Sequence, residues 1–341
     1  MMNYKYRAKK CTALVLSLIL LCTGLTLTGC GRKQELTKSG FYFNTVITIT
    51  FYDSEDSSLM DGCFALADHY EKLFSNTVKG SDIYNINTHA TEPVTVDPET
   101  ITLLQKGLEY AKVSDGKFDI TIGKLSSLWD FGNNEGTIPD DADIKSALAT
   151  VDYHAISIDG DTVTLTNPDA MIDLGGIAKG YIADQMKAYL NENGVTSGMI
   201  NLGGNVLTIG SKSSGDAYTI GIQKPFAEDG TAIAAVKISD ASVVSSGVYE
   251  RCFYVDDTLY HHILDTDTGY PYDNGLLGVT IICKNSVDGD GLSTTCFSLG
   301  LTDGMKLIES LDDTEAIFIT DDYKLHFSSG MGDTIPYTQM D

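Results

Sequence analysis

The sequence predicts an α+β fold, mainly antiparallel sheets with helices packed against them, and three observations lead there. Short runs of alternating apolar and polar residues dominate from Tyr153 onward. Turn signals such as "DGD", "NPD", "DDT" and "DDY" separate those runs. Segments of helical spacing lie mostly before residue 151 and then interrupt the strands at only a few places.

The first segments read as export and attachment rather than as fold. Met1–Lys10 carries Lys5, Arg7, Lys9 and Lys10 and no acid; Ala13–Leu27 is almost wholly apolar; Leu27-Thr28-Gly29-Cys30 follows. A basic start, a short apolar core and a small-residue cleavage site make residues 1–29 a signal peptide. The apolar stretch is short for a permanent span, which needs roughly 20 residues. Leu-Thr-Gly-Cys is similar to a bacterial lipobox, so Cys30 is the expected lipidation site, with an uncleaved N-terminal anchor as the alternative. Either way the globular part is expected on the extracytoplasmic face of the cell membrane. Residues 30–40 are short and polar and read as a tether, leaving 41–341 as the folded domain.

Within that domain "TVITITFYD" (45–53) alternates as a strand. "SSLMDGCFALADHYEKLFS" (57–75) puts Leu59, Cys63, Leu66, Tyr70 and Leu73 on one helical face. In "VDPETITLLQKGLEYAKVSDG" (96–116), Asp97 suits an N-cap, Pro98 the first turn, and Gly116 the position past the end. A further helix is expected over 139–151. Strands are expected at 154–158, 162–166, 170–174, 198–202, 205–209, 217–223, 233–238, 242–245, 251–256, 259–265, 277–283, 315–320 and 323–328. Helices are expected at 177–193, 291–301 and 303–311.

Composition excludes some functions. The net charge is −24, and removal of the basic leader takes it to about −28. Nucleic acid, which requires basic patches, is therefore not an expected partner. Beyond Cys30 only Cys63, Cys252, Cys283 and Cys296 remain, without CxxC spacing, and they read as buried free thiols.

Three segments carry chemistry. In "MIDLGGIAKGYIAD" (171–184) a strand ends at Asp173, Gly175-Gly176 turn the chain, and Lys179 falls in the first turn of a helix. Free N–H groups, the helix dipole and an ammonium group together suit phosphate, although neither GxxxxGK[ST] nor GxGxxG is matched; a purely structural strand–turn–helix is the alternative. In "DGDGLSTTCFSLG" (288–300) Asp290 is expected to cap a helix on which Ser293 and Thr294 share its side. Carboxylate and hydroxyl oxygens suit a hard cation, Mg²⁺ above all, while ordinary N-capping is the alternative. In "YHHILDTDTGYP" (260–271), His261, His262, Asp265 and Asp267 are bunched. Strand alternation puts the two histidines on opposite faces, so one of them can face a cleft as a general base.

Together these segments resemble the ApbE family, flavin transferases that move FMN from FAD onto a protein. "MIDLGGIAKGYIAD" is similar to that family's DLGGIAKGY signature, "SSGVYERCF" (245–253) and "YHHILDTDTGYP" to its SG-Y-R-F and HHIIDPRTGYP, and "DGLSTTCFSLG" to its D-A-L-S-T-A helix. "SDGKFDITIGKLSSLWDFG" (114–132) is similar to SGGAFDPTVGPLVNLWGFG, and "NLGGNV" (201–206) to the strand after the signature. The resemblance spans nearly the whole mature chain and implies the T-fold-like α+β architecture of the family. It implies FAD contacts at Phe43, Thr77, Lys117, Phe118, Asp119, Asp173, Lys179 and Ile263. It implies metal ligands at Asp290, Ser293 and Thr294, with a backbone carbonyl from Gly176. Phe43 stands where the family usually has Met, Thr77 where it has an aromatic residue, and "DTDTG" replaces DPRTG, with Asp267 in place of Arg.

The reaction so implied is attack by a Thr or Ser hydroxyl of an acceptor protein on the FMN phosphorus of FAD. AMP leaves and a phosphodiester remains. Such displacements are mostly positioning and charge neutralisation, which Mg²⁺, Lys179 and the helix start would supply. His262 is the expected base, with Asp265 or the surroundings of Asp290 as the fallback. No segment resembles the acceptor pattern Ser/Thr-Gly-Ala-Thr, so the acceptor is expected to be a separate chain. An FAD pyrophosphatase and a non-catalytic flavin-binding lipoprotein are the alternative readings.

Overall fold

A computed structural model describes residues 35–134, 136–228 and 230–340. The signal peptide, Cys30 and the start of the tether lie outside the described residues. From there the chain builds an eight-stranded antiparallel sheet in the order β1 (Leu36–Tyr42), β2 (Thr45–Phe51), β6 (Ser197–Leu202), β7 (Asn205–Gly210), β10 (Ser242–Gly247), β13 (Leu276–Cys283), β14 (Glu315–Thr320) and β15 (Leu325–Phe327). Residues 36–40, expected in the tether, instead pair with β2 from Leu36↔Phe51 to Gly40↔Ile47. Their polar sequence, LTKSG, hides an edge strand whose partner does the burying.

The central strands are apolar at successive positions because both of their faces are covered. Along β14, Ala316 and Phe318 enter the main core, while Ile317 and Ile319 enter a second core on the opposite face. That second face is roofed by a three-stranded sheet of β16 (Tyr337–Gln339), β9 (Ala232–Ile238) and β8 (Tyr218–Gln223). The main core is closed by α1 (Ser58–Phe74), α3 (Pro98–Val113), α6 (Ala178–Glu192) and α7 (Ser286–Ile308). The remaining elements are α2 (Asp82–Thr88), α4 (Gly123–Trp129), α5 (Asp141–Leu148), the sheet β3 (Val94–Thr95), β5 (Thr162–Leu165), β4 (Ile156–Asp159), and the hairpin β11 (Cys252–Val255)–β12 (Thr258–His261).

A third, aromatic core joins α4, α5 and that hairpin. Trp129 is fully buried at its centre, stacks on Phe131 and Tyr260, and donates its indole N–H to the Gly269 carbonyl at 2.9 Å. The bond to Gly269 fixes the turn that follows His262. The N-cap of α3 is as expected: Asp97 accepts from the Glu99 amide at 2.9 Å, with Pro98 in the first turn. Cys63, Cys252, Cys283 and Cys296 are unpaired.

Three expectations need correction. Residues 170–174 form no strand: the Ile172 amide and carbonyl are both taken by the side chain of Asn87, and the Asp173 amide donates to Ile120. Only Met171 makes an isolated bridge, to Ile122. The strand expected over 259–265 stops at His261, after which the chain bonds to its own turn, Asp265 N–H to the Tyr270 carbonyl at 2.7 Å. The helices expected at 291–301 and 303–311 form one stretch broken at Gly300 (φ 78°) that begins at Ser286. Asp290 therefore lies a turn inside α7 and does not cap it.

Candidate functional site

The site is assembled where the N-termini of α6 and α7 meet. Glycine makes the approach possible: a Cβ on Gly180 would stand 2.3 Å from the Ser286 carbonyl oxygen. The two helices then exchange carboxylates. Asp290, on α7, accepts the Gly180 amide of α6 on Oδ2 at 2.9 Å. Asp184, one turn beyond Gly180 on α6, accepts the Ser286 and Val287 amides of α7, each at 2.8 Å. Each helix start thus has free N–H groups satisfied by the other's acid. Burial pushes the Asp184 carboxyl up to about 6, against the pull of those two amides.

Lys179 sits in the first turn of α6, as the sequence indicates, where the dipole disfavours a cation. The cost is offset locally, because its ammonium donates to the Gly175 carbonyl at 3.1 Å and stands 3.7 Å from Asp290 Oδ1. Asp290 is 4 % exposed. With Oδ2 fixed on Gly180, Oδ1 is the oxygen left facing Lys179. Thr294 lies one turn further along α7. Its hydroxyl shares Ser246 Oγ with Ser293, at 3.1 and 2.8 Å. Ser293 is fully buried and also donates to the Asp290 carbonyl at 2.9 Å, so its hydroxyl is held inside the helix packing. A Cβ at Gly176 would come 3.8 Å from Thr294 Oγ1 and 3.2 Å from the Phe118 ring. Asp290 supplies a carboxylate, Thr294 one turn further on a hydroxyl, and Gly176, close to Thr294, a backbone carbonyl, and oxygen donors of these kinds suit a hard divalent cation. The described residues contain no group of three or more His, Cys, Asp or Glu able to hold a metal.

The segment 117–119 enters from the other side. Phe118 is buried edge-on against Tyr110. Asp119 is 7 % exposed and spends its oxygens inside the protein, Oδ1 on the Thr121 amide and hydroxyl and Oδ2 on the Tyr153 amide. It therefore shapes the loop. Lys117 pairs with Asp267 at 3.4 Å, and its carbonyl accepts from the Tyr272 hydroxyl at 3.3 Å. Asp267, where the family usually has Arg, thus has a cation across from it. Asp173 is similarly engaged, with Oδ1 on the Gly175 amide at 2.8 Å and Oδ2 on the Ser126 hydroxyl at 2.9 Å. Ile263 is buried in the main core, its amide donating to His261 Nδ1 and its carbonyl accepting from Tyr272.

Phe43 and Thr77 come in at the far end of α1. Phe43 and Asn44 form the left-handed turn between β1 and β2, and the Phe43 amide donates to Glu71 in the last turn of α1. Thr77 is exposed on the following loop. Phe74, at the end of α1, packs against Tyr181 of α6 with ring centroids 5.6 Å apart, which ties this end to the helix that carries Lys179. Asn76, Lys124, Asp169 and Met171 line one cleft of about 330 Å³.

His261 ends β12 and His262 lies just past it, so strand alternation does not govern the pair and each ring is placed by its own contacts. His261 is 3 % exposed and bonds through Nε2 to the Tyr272 carbonyl. The His262 amide is tied to the Arg251 carbonyl at 3.1 Å, and its Nδ1 is enclosed without a hydrogen-bond partner. Burial first, then the Arg251 and Lys179 charges, pull the imidazole down to about 3. At neutral pH it is the uncharged, proton-accepting form.

A stability prediction follows from the pair. His261 titrates at about 4 and His262 at about 3 in the folded chain, against an ordinary 6.5. Between those values the unfolded chain holds more protons, so their contribution rises with pH from about 4 and levels off above about 6.5. Asp184 acts in the opposite sense between 3.8 and about 6. His262→Gln is therefore expected to flatten the rise of the thermal midpoint between about pH 4.5 and 6.5. Calorimetric scans across that range check it, and an unchanged slope would refute it.

Sequence reasoning left out Gly180, Asp184, Ser246, Ser126 and Arg251. Only the spacing of Gly180 and Asp184, four apart on one helical face, was a usable signal.

The chain is similar to known proteins in both sequence and fold. The model of the ApbE family matches residues 43–318. An FAD:protein FMN transferase of Klebsiella pneumoniae (strain 342) is 40 % identical over 280 residues, 81 % of this chain and 86 % of that protein. One from Treponema pallidum (strain Nichols) is 30 % identical, with 93 % and 94 % covered. Among solved structures, an ApbE protein of Thermotoga maritima superposes with a TM-score of 0.80 at 30 % identity, over 87 % of this chain and 97 % of that one. The flavin transferase ApbE of Vibrio cholerae does so with a TM-score of 0.78 at 27 % identity, over the same shares.

Proposed function

From the premise that this chain belongs to the ApbE family, we propose that it is an FAD:protein FMN transferase acting with Mg²⁺ on a Thr or Ser hydroxyl of a separate acceptor protein. The observation that carries the finer reading is the reciprocal meeting of α6 and α7. In support of it, Lys179 stands 3.7 Å from Asp290 Oδ1, Asp290 holds the Gly180 amide, a Cβ at Gly176 would come 3.8 Å from Thr294 Oγ1, and the Lys179 charge is among those acting on an uncharged His262.

In this reading the diphosphate of FAD lies against Lys179 and the start of α6, where an anion relieves the clash between ammonium and dipole. Asp290, Thr294 and the Gly176 carbonyl would hold Mg²⁺, which would supply charge neutralisation on the diphosphate when bound. The acceptor hydroxyl forms a bond to the FMN phosphorus, the bond from that phosphorus to the AMP oxygen breaks, and AMP carries the electron pair away. His262 takes the hydroxyl proton. Its low basicity comes first from burial, and a bound diphosphate would offset only the smaller share that comes from the Arg251 and Lys179 charges. Asp173, Asp119 and Phe118 hold the walls, Asp173 through Ser126 and Gly175. Lys117, Ile263, Phe43 and Thr77 are the further FAD contacts that the family resemblance implies.

A lipid on Cys30 would keep this site at the extracytoplasmic membrane face. The basic-apolar-lipobox order of the first residues supports that placement.

The test is mass spectrometry of acceptor candidates incubated with protein, FAD and Mg²⁺. The expected result is an acceptor heavier by one FMN, with AMP in equal amount. Free FMN and AMP without acceptor labelling would mean that water is the nucleophile and would overturn the transfer reading.

A further inference from the structure

The established chemistry does not account for Asp184, and its geometry singles it out. It sits on α6 one turn after Gly180, and both of its oxygens are committed to α7, one to the Ser286 amide and one to the Val287 amide. α7 has no side-chain cap of its own: Asn285 occupies the N-cap position without bonding to the helix amides. The helix that carries Asp290 and Thr294 therefore has its start held by a residue of the helix that carries Lys179. Asp290 returns the bond to Gly180. The contact is too close for slack, since a Cβ at Gly180 would overlap the Ser286 carbonyl and the Val287 Cα, at 2.3 and 2.6 Å. The surroundings reinforce it. Ser286 Oγ bonds to Asn205 and to Ser242, both buried on the strands beneath.

We infer that Asp184 is a positioning residue for the cation site: its double bond to the α7 amides fixes the distance and rotation of Asp290 relative to Gly180 and Lys179. It touches neither cation nor substrate. The inference rests on the proposed cation-binding role of Asp290. If Asp184 shifts, Asp290 has to choose between following α7 and keeping the Gly180 amide, and Oδ1 turns away from the point it shares with Thr294. Asparagine at 184 retains size but presents an NH₂ to one of two amide N–H groups, so one bond becomes a repulsion. Aspartate to glutamate retains both acceptors on a longer arm.

The experiment titrates full-length protein with Mg²⁺ by calorimetry in the presence of FAD, and with Mn²⁺ by electron paramagnetic resonance. Thermal midpoints are recorded for each variant. Asp184→Asn is expected to weaken cation binding about 10- to 100-fold, the range found when groups that orient metal ligands are removed. Asp184→Glu is expected to recover most of that loss. Asp97→Ala, which removes the cap of α3 away from the site, serves as the control: it lowers the thermal midpoint and leaves cation affinity unchanged. If Asp184→Asn lowers the midpoint as Asp97→Ala does but binds cation like the parent protein, Asp184 is only a structural cap and the inference falls. If the parent protein itself binds no cation, the proposed metal site fails first, on a result independent of Asp184.

Discussion

Asp290→Ala is expected to reduce FMN transfer by at least about 10³-fold, since a divalent ion on a diphosphate is worth several kcal/mol of barrier and each 1.36 kcal/mol is a factor of ten. Three roles end together in that substitution. The Gly180 amide loses its acceptor, Lys179 loses its nearest carboxylate, and the oxygen set shared with Thr294 loses its charge. Asp290→Asn separates them. Its carbonyl oxygen still accepts from Gly180, so the helix joint persists, while the negative charge needed by the cation is gone. Transfer is therefore expected to fall nearly as far in the asparagine variant, with a smaller drop in thermal midpoint than in the alanine variant. The measurement is acceptor mass against time at saturating FAD and Mg²⁺. Full activity in Asp290→Asn would remove the cation from the site and leave Asp290 as a helix cap alone.

The same residue shows how far sequence carries. The α6 part of the site was legible because its signals are local: two glycines force a turn, the apolar spacing after them starts a helix, and Lys179 then has to fall in its first turn. The α7 part was only half legible. Asp290 and Thr294 are four apart and share a helical side on any helix, but where α7 begins was misjudged by five residues. "NSVDGD" contains four good capping residues, Asn285, Ser286, Asp288 and Asp290, and a glycine before the last of them, which favours a late start. The actual start at Ser286 exists because Asp184, 102 residues earlier, supplies the cap. No pattern within α7 contains that information. The missing strand over 170–174 has a similar cause. Its alternation is real, but Asn87 takes the hydrogen bonds that a neighbouring strand would make. The central strands were easier, because burial on both faces writes itself as unbroken apolar runs.

His262→Ala is expected to lower kcat for transfer by about 10²- to 10⁴-fold, the usual contribution of a positioned base. The KM for FAD should change much less, because the proposed reading assigns the diphosphate to Lys179 and the α6 start rather than to the imidazole. The reason for choosing His262 over His261 is structural. His261 already bonds to the Tyr272 carbonyl and the Ile263 amide, so both ring nitrogens are occupied within the fold. His262 Nδ1 has no protein partner, and its main chain is anchored to Arg251 by a single amide bond. The pH profile gives the sharper check. In the free protein His262 stays uncharged down to about 3, so substrate capture should show no acid limb from it near neutrality. Once FAD is bound, the diphosphate offsets the Arg251 and Lys179 charges, the imidazole becomes more basic, and kcat should fall as pH drops through that raised value. The acid limb of kcat therefore lies at higher pH than the acid limb of kcat/KM, and it disappears in His262→Ala. Coincident limbs, or a limb that persists in the variant, would transfer the base role to another group, with Asp265 at the adjoining turn as the first residue to test.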